Sequence, residues 1–148
     1  MLRFKGDFSI EFRAYNDGIA YRFINHSKQP FCIKNETVEY HFPDNYQVTV
    51  PYVRENEGNI EAQFFNSFEN VYETTSLTGY NPKRLSFLPL LVDTGTGVKM
   101  CITETNLENY PGLYMNISQI HPHTMVGVFA RYPKYVKQGG HNNLQLLV

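Results

Sequence analysis

From Phe8 to Ala14 the chain alternates: Phe8, Ile10, Phe12 and Ala14 are separated by Ser9, Glu11 and Arg13. A period of two puts every second side chain on one face of an extended backbone, so this stretch predicts a half-buried strand. Asn16-Asp17-Gly18 follows, and Asp-Gly is a strong hairpin signal because glycine takes positive φ without steric cost. Ile19, Tyr21 and Phe23 then alternate with Ala20 and Arg22, which completes an antiparallel hairpin.

Shorter strands are expected over Phe31–Ile33 and Val38–Phe42, with Pro43-Asp44-Asn45 as the turn that follows. Gln47–Tyr52 reads as a strand with Pro51 near its end, where a missing N–H is tolerated. Arg54–Asn59 is a polar loop, Glu61–Phe68 a weaker strand, and the Thr-rich stretch Tyr72–Tyr80 has no clear element. Leu85–Val92, "LSFLPLLV", is continuously apolar and predicts a strand covered on both faces. The glycine-rich turn Asp93–Gly97 joins it to Val98–Thr103 in a second hairpin. Leu113–Ile120 and Thr124–Tyr132 are further strands, split at His121-Pro122-His123.

No segment sustains an apolar period of 3.6. About ten short strands with regular turn signals predict an all-β, antiparallel sandwich or related two-sheet fold in one domain, residues 1–148. There is no repeat, low-complexity tract or linker. Apolar residues close to both ends suggest a piece of a larger chain.

Composition narrows the function. The hydrophobic fraction is 42%, which is that of a globular domain and not of a disordered one. A net charge of −1 disfavours nucleic acid as a partner, because phosphate-binding domains are basic. No stretch approaches a membrane span, and "MLRFKGDFSIEF" carries charges too early for a signal peptide. Cys32 and Cys101 sit in apolar runs and read as small buried residues, although pairing between them stays open.

Candidate chemistry concentrates in "CITETNLENYPGLYM", Cys101–Met115. Glu104, Asn106, Glu108 and Asn109 offer oxygen ligands of the kind calcium takes, but the spacing is not that of an EF-hand, and from residue chemistry alone a solvated turn is the preferred reading. His121 and His123 could face one way as metal ligands, but Pro122 kinks the chain between them and no third ligand lies nearby. Arg131–Lys137 interleaves basic and aromatic residues, which suits a single nucleic-acid strand or, with this net charge, a protected edge strand. Asn25, Asn35 and Asn116 head chance glycosylation patterns. Nucleophile elbows, phosphate loops and HExxH are absent.

Several stretches together resemble the N-terminal β domain of glycoside hydrolase family 97. They are Glu11–Phe23, Asn35-Glu36 followed by Phe42-Pro43, Phe87–Asp93 and, most specifically, Ile102–Met115 with Thr103-Glu104, Leu107-Glu108 and Tyr110-Pro111-Gly112. The resemblance runs from about Phe8 to Ala130. It implies a β super-sandwich of galactose-mutarotase-like, two-sheet architecture, missing its earlier strands. In the parent, that domain stands before a catalytic (β/α)8 barrel of an exo-acting bacterial α-glucosidase or α-galactosidase. It also implies an active-site calcium to which this domain contributes a Glu, best matched by Glu104. The implied partners are the barrel of the same polypeptide and an α-linked oligosaccharide, and the parent is expected in the periplasm or outside the cell. The barrel carries the catalytic carboxylates, so this chain alone is expected to be inactive. Unpaired edges invite a dimer. Two rival readings stand beside this one: a free-standing carbohydrate-binding sandwich that stacks tyrosines on sugar rings, and an interaction domain with no sugar role.

Overall fold

The computed structural model of the chain describes residues 1–29, 33, 35–107 and 110–130. These fall into two compact units, one within the first 33 residues and one from residue 35 onwards. The expected strand at Phe31–Ile33, apart from Ile33, and the basic stretch Arg131–Lys137 lie outside the described residues.

The first unit is a three-stranded antiparallel sheet of β1 (Leu2–Arg3), β2 (Phe8–Ala14) and β3 (Ile19–Asn25), in the order β1-β2-β3. The predicted hairpin is present, with Phe8 opposite Asn25, Phe12 opposite Tyr21 and Ala14 opposite Ile19. Its turn is closed by the Tyr15 N–H donating to the Gly18 carbonyl at 2.8 Å. The alternation puts Phe8, Ile10, Phe12, Tyr21 and Phe23 on one face, and an ion pair of Arg22 with Glu11 at 2.7 Å on the other. Half-burial of the apolar face was expected, yet Phe12, Phe23 and Ile19 are 50%, 54% and 77% exposed. A single sheet layer can cover one ring only with its neighbours: Phe12 meets Tyr21 at 5.9 Å and Tyr21 meets Phe23 edge-on at 6.4 Å. An apolar patch of this kind marks a surface made to be covered.

The second unit contains β4 (Glu39–His41), β5 (Gln47–Val50), α1 (Ile60–Gln63), β6 (Glu73–Ser76), β7 (Leu90–Asp93), β8 (Lys99–Ile102), β9 (Tyr114–Ile117) and β10 (Thr124–Val128). They form two antiparallel sheets, β4-β10-β9 and β6-β5-β7-β8. Both contribute to one core: Val48, Val50, Leu90 and Val92 come from the larger sheet, and Met115 and Met125 from the smaller. Each such side chain taken from water contributes about 1.5–3 kcal/mol. The chain is thus all-β and antiparallel, as a sandwich requires, with three sheets among the described residues where two were expected.

Three local expectations are corrected. Glu61–Phe68 is not a strand: Asn59 caps a helical turn by accepting the Ala62 N–H on its side chain at 3.2 Å, and Glu-Ala-Gln are good helix formers. Leu85–Val92 is a strand only from Leu90, because exposed Pro89 offers no N–H; Ser86 joins neighbours through isolated bridges instead. Cys101 is exposed and its thiol is free. It lies opposite Leu91 on β8, the sheet's outermost strand, away from the face where Leu90 and Val92 enter the core. The Thr-rich stretch becomes β6 followed by a 3-10 turn over Leu77–Gly79 that buries Leu77. Among the described residues, no helix is long and apolar enough to cross a membrane.

Gln63, fully buried at the end of α1, ties together three stretches of backbone. Its amide nitrogen donates to the Asn56 carbonyl at 3.0 Å and the Lys83 carbonyl at 2.8 Å, and its oxygen accepts the Leu85 N–H at 2.6 Å. Replacement by a shape-matched apolar residue strands the buried Leu85 N–H and removes one of two hydrogen bonds from each of the Asn56 and Lys83 carbonyls. Gln63→Leu is therefore expected to cost about 1–3 kcal/mol, read as a lower urea midpoint at constant slope; a loss below about 0.5 kcal/mol would contradict this account.

Candidate functional site

Glu104 stands two residues beyond the end of β8. The β7–β8 ladder stops at the pair Leu90–Ile102. The next residue of the partner strand is Pro89, which has no N–H to give, so the chain is released there. Residues 103–113 then cross from β8 to β9. Within this crossing, Asn106 takes a left-handed φ of 55°, a conformation asparagine tolerates better than most residues.

The crossing returns onto Glu104. The Leu113 N–H donates to Glu104 Oε1 at 3.0 Å. Gly112 passes so near that a Cβ there would stand 3.5 Å from the same oxygen. Burial pushes the Glu104 carboxyl above the usual range, the Leu113 hydrogen bond pulls it down, and the charge of Glu36 pushes it up. Two carboxylates therefore share this corner. Glu36 in turn accepts a 2.5 Å hydrogen bond from the Tyr110 hydroxyl on Oε2. Burial, then that bond, pushes the phenol well above its ordinary value, so it stays a donor. The Tyr110 ring meets Phe129 edge-on at 6.1 Å.

Gly127 lets these segments converge. Its N–H donates to the Val38 carbonyl at 2.8 Å, two residues beyond Glu36. A Cβ at this position would meet Val38 Cβ and Leu113 Cδ1, each at 2.8 Å. Only a glycine in β10 allows the strand leading from Glu36 and the residue that holds Glu104 to rest on the same spot.

Glu104 and Glu36 are half-buried, and neither forms an ion pair among the described residues. The Glu104 carboxylate, whose Oε2 takes no described hydrogen bond, is a donor of the type a hard dication takes, while Glu36 is engaged by the Tyr110 hydroxyl. No group of three His, Cys, Asp or Glu side chains gathers for a metal among the described residues. Glu108 lies outside the described residues, as does Cys32. His121 meets the ring of His41 edge-on at 6.0 Å, while the His123 carbonyl accepts the Phe42 N–H at 3.0 Å from a left-handed φ of 49°. Sequence reasoning passed over Glu36, Tyr110 as its partner, and Gly127. The first two lie 74 positions apart, and no local pattern links them.

The described residues thus form an antiparallel β architecture in which the exit of β8 delivers the Glu104 carboxylate. The family model for the glycosyl hydrolase 97 N-terminal domain matches residues 1–143, and the chain belongs to that family. It is also 55% identical to a retaining alpha-galactosidase of Bacteroides thetaiotaomicron over 148 residues. That match covers 99% of this chain and 22% of the relative, so the chain spans less than a quarter of the relative's length.

Gly127→Ala must push Val38 or Leu113 outward. An expected loss of about 1–3 kcal/mol follows from overpacking, read as a lower melting temperature. An unchanged melting temperature would show that the close approach at Gly127 is not needed.

Proposed function

We propose that this chain is the accessory β part of a longer exo-acting α-galactosidase, and that its task is to supply Glu104 to a calcium ion beside the sugar pocket. The observation that carries the reading is Glu104 itself: a half-buried carboxylate, oriented by the Leu113 N–H through Oε1, with no cationic partner among the described residues. Membership of the family and the 55% identity to a retaining alpha-galactosidase support the substrate class and retention of configuration. Calcium there would supply a fixed positive charge that orients oxygen ligands near the bond to be cleaved.

What this chain does in that setting is to hold and orient. β8 ends at Ile102, the crossing folds back, and one carboxylate oxygen is fixed by a backbone amide while Oε2 takes no described hydrogen bond. The exposed apolar face of β1–β3 supports packing on another part of the same polypeptide, the catalytic barrel, since Phe12, Phe23 and Ile19 have no covering layer in their own sheet. General acid and nucleophile reside in that barrel.

In the full-length protein, Glu104→Gln should weaken calcium binding by more than about tenfold, roughly 1.4 kcal/mol, and α-galactosidase activity should recover as calcium is raised. Unchanged calcium affinity by titration calorimetry would refute the role of Glu104. The 148-residue chain alone should release no nitrophenol from an aryl α-galactoside; turnover by pure material would place catalytic carboxylates here instead.

A further inference from the structure

The crossing that presents Glu104 has little backbone structure to hold it. Among the described residues, 103–107 and 110–113 make no backbone–backbone hydrogen bond. Two side-chain bonds close it. One is the Leu113 N–H to Glu104 Oε1 at 3.0 Å; the other is the Tyr110 hydroxyl to Glu36 Oε2 at 2.5 Å. The first bond depends on where Leu113 sits. Leu113 follows Tyr110 by three residues through Pro111 and Gly112, and Pro111 stiffens that link by fixing its φ. Leu113 itself packs against Val38 and Gly127 and leads into β9, and on its other side Tyr110 ties the crossing to the Glu36 segment. The Glu36 segment is itself fixed to β10 by the Gly127 N–H donating to Val38 at 2.8 Å. The chain of restraint runs from β10 through Val38, Glu36 and Tyr110 to Leu113 and the Glu104 carboxylate.

We propose that Glu36 and Tyr110 form a latch that positions the Glu104 carboxylate for calcium, Glu36 acting as hydrogen-bond acceptor for the phenol. The proposal rests on the calcium reading of Glu104. Both are positioning residues. A latch of this kind acts on the ligand's orientation, and loss of such outer support ordinarily weakens metal binding by about 10–100-fold.

The test uses the full-length protein, with calcium affinity from titration calorimetry and melting temperature in EDTA measured side by side. Tyr110→Phe removes one hydroxyl and keeps the ring against Phe129. It is expected to weaken calcium binding about tenfold. Glu36→Ala should weaken it by a similar factor, and the double variant no further than either single change, because both break one bond. Glu36→Gln keeps an acceptor oxygen for the phenol and should stay within about threefold of the parent affinity. A merely structural bond would lower the melting temperature in EDTA and leave calcium affinity alone. Unchanged affinity in Tyr110→Phe overturns the latch, as do multiplying losses in the double variant. A tenfold loss in Glu36→Gln also overturns it, by showing that the charge and not the bond is what matters. Glu104→Gln separates the two levels. If it weakens calcium binding while Tyr110→Phe does not, only the latch fails; if it leaves affinity unchanged, the calcium reading itself fails. Should Glu36→Ala not fold, the isosteric Tyr110→Phe decides.

Discussion

The second unit depends on the join between Ser86 and Met115. The Ser86 N–H donates to the Met115 carbonyl at 2.9 Å and the Met115 N–H returns to the Ser86 carbonyl at 2.8 Å. Ser86 also bridges to Tyr52, which continues the line of β5, so one small residue connects the larger sheet to β9 of the smaller. The Tyr80 hydroxyl closes the knot, donating to the Met115 carbonyl at 2.9 Å and sharing a hydrogen bond with Ser86 Oγ at 3.0 Å. All of this is buried, where a polar group without a partner would cost more than the bond contributes. Burial holds the Tyr80 phenol firmly protonated, as this role demands.

The site follows from that join. β9 is fixed through Met115, β8 through its ladder with β7, and the crossing between them must span whatever gap these leave. Glu104 belongs to the crossing and to neither strand. Its orientation is accordingly set by the Leu113 backbone amide, by neighbouring side chains and by one glycine, while the sheets set only its neighbourhood.

Much of this was legible in the residues. Alternation and Asp-Gly identified the first hairpin, and the Asp93–Gly97 turn the second, because these signals are local. Ile102–Met115 carried the resemblance to the family to which the chain belongs. What was missed was either weak or distant. Asn59 followed by helix formers was a cap signal set against an apolar pattern that suggested a strand. Cys101 was assigned to the interior from an apolar run, although on an edge strand only one face is covered. Glu36 and Gly127 matter through contacts made across the fold, so neither announces itself in its own neighbourhood.

The thinness of backbone bonding among the described residues 103–107 and 110–113 has a consequence for how this protein can change. Segments with few backbone bonds open at little free-energy cost, independently of the strands around them. Substitutions in the crossing can therefore alter the presentation of Glu104 with small effect on the buried knot, and substitutions in the core need not disturb Glu104. Fold and site are in large part separate targets for selection, and a lineage could retune one while conserving the other.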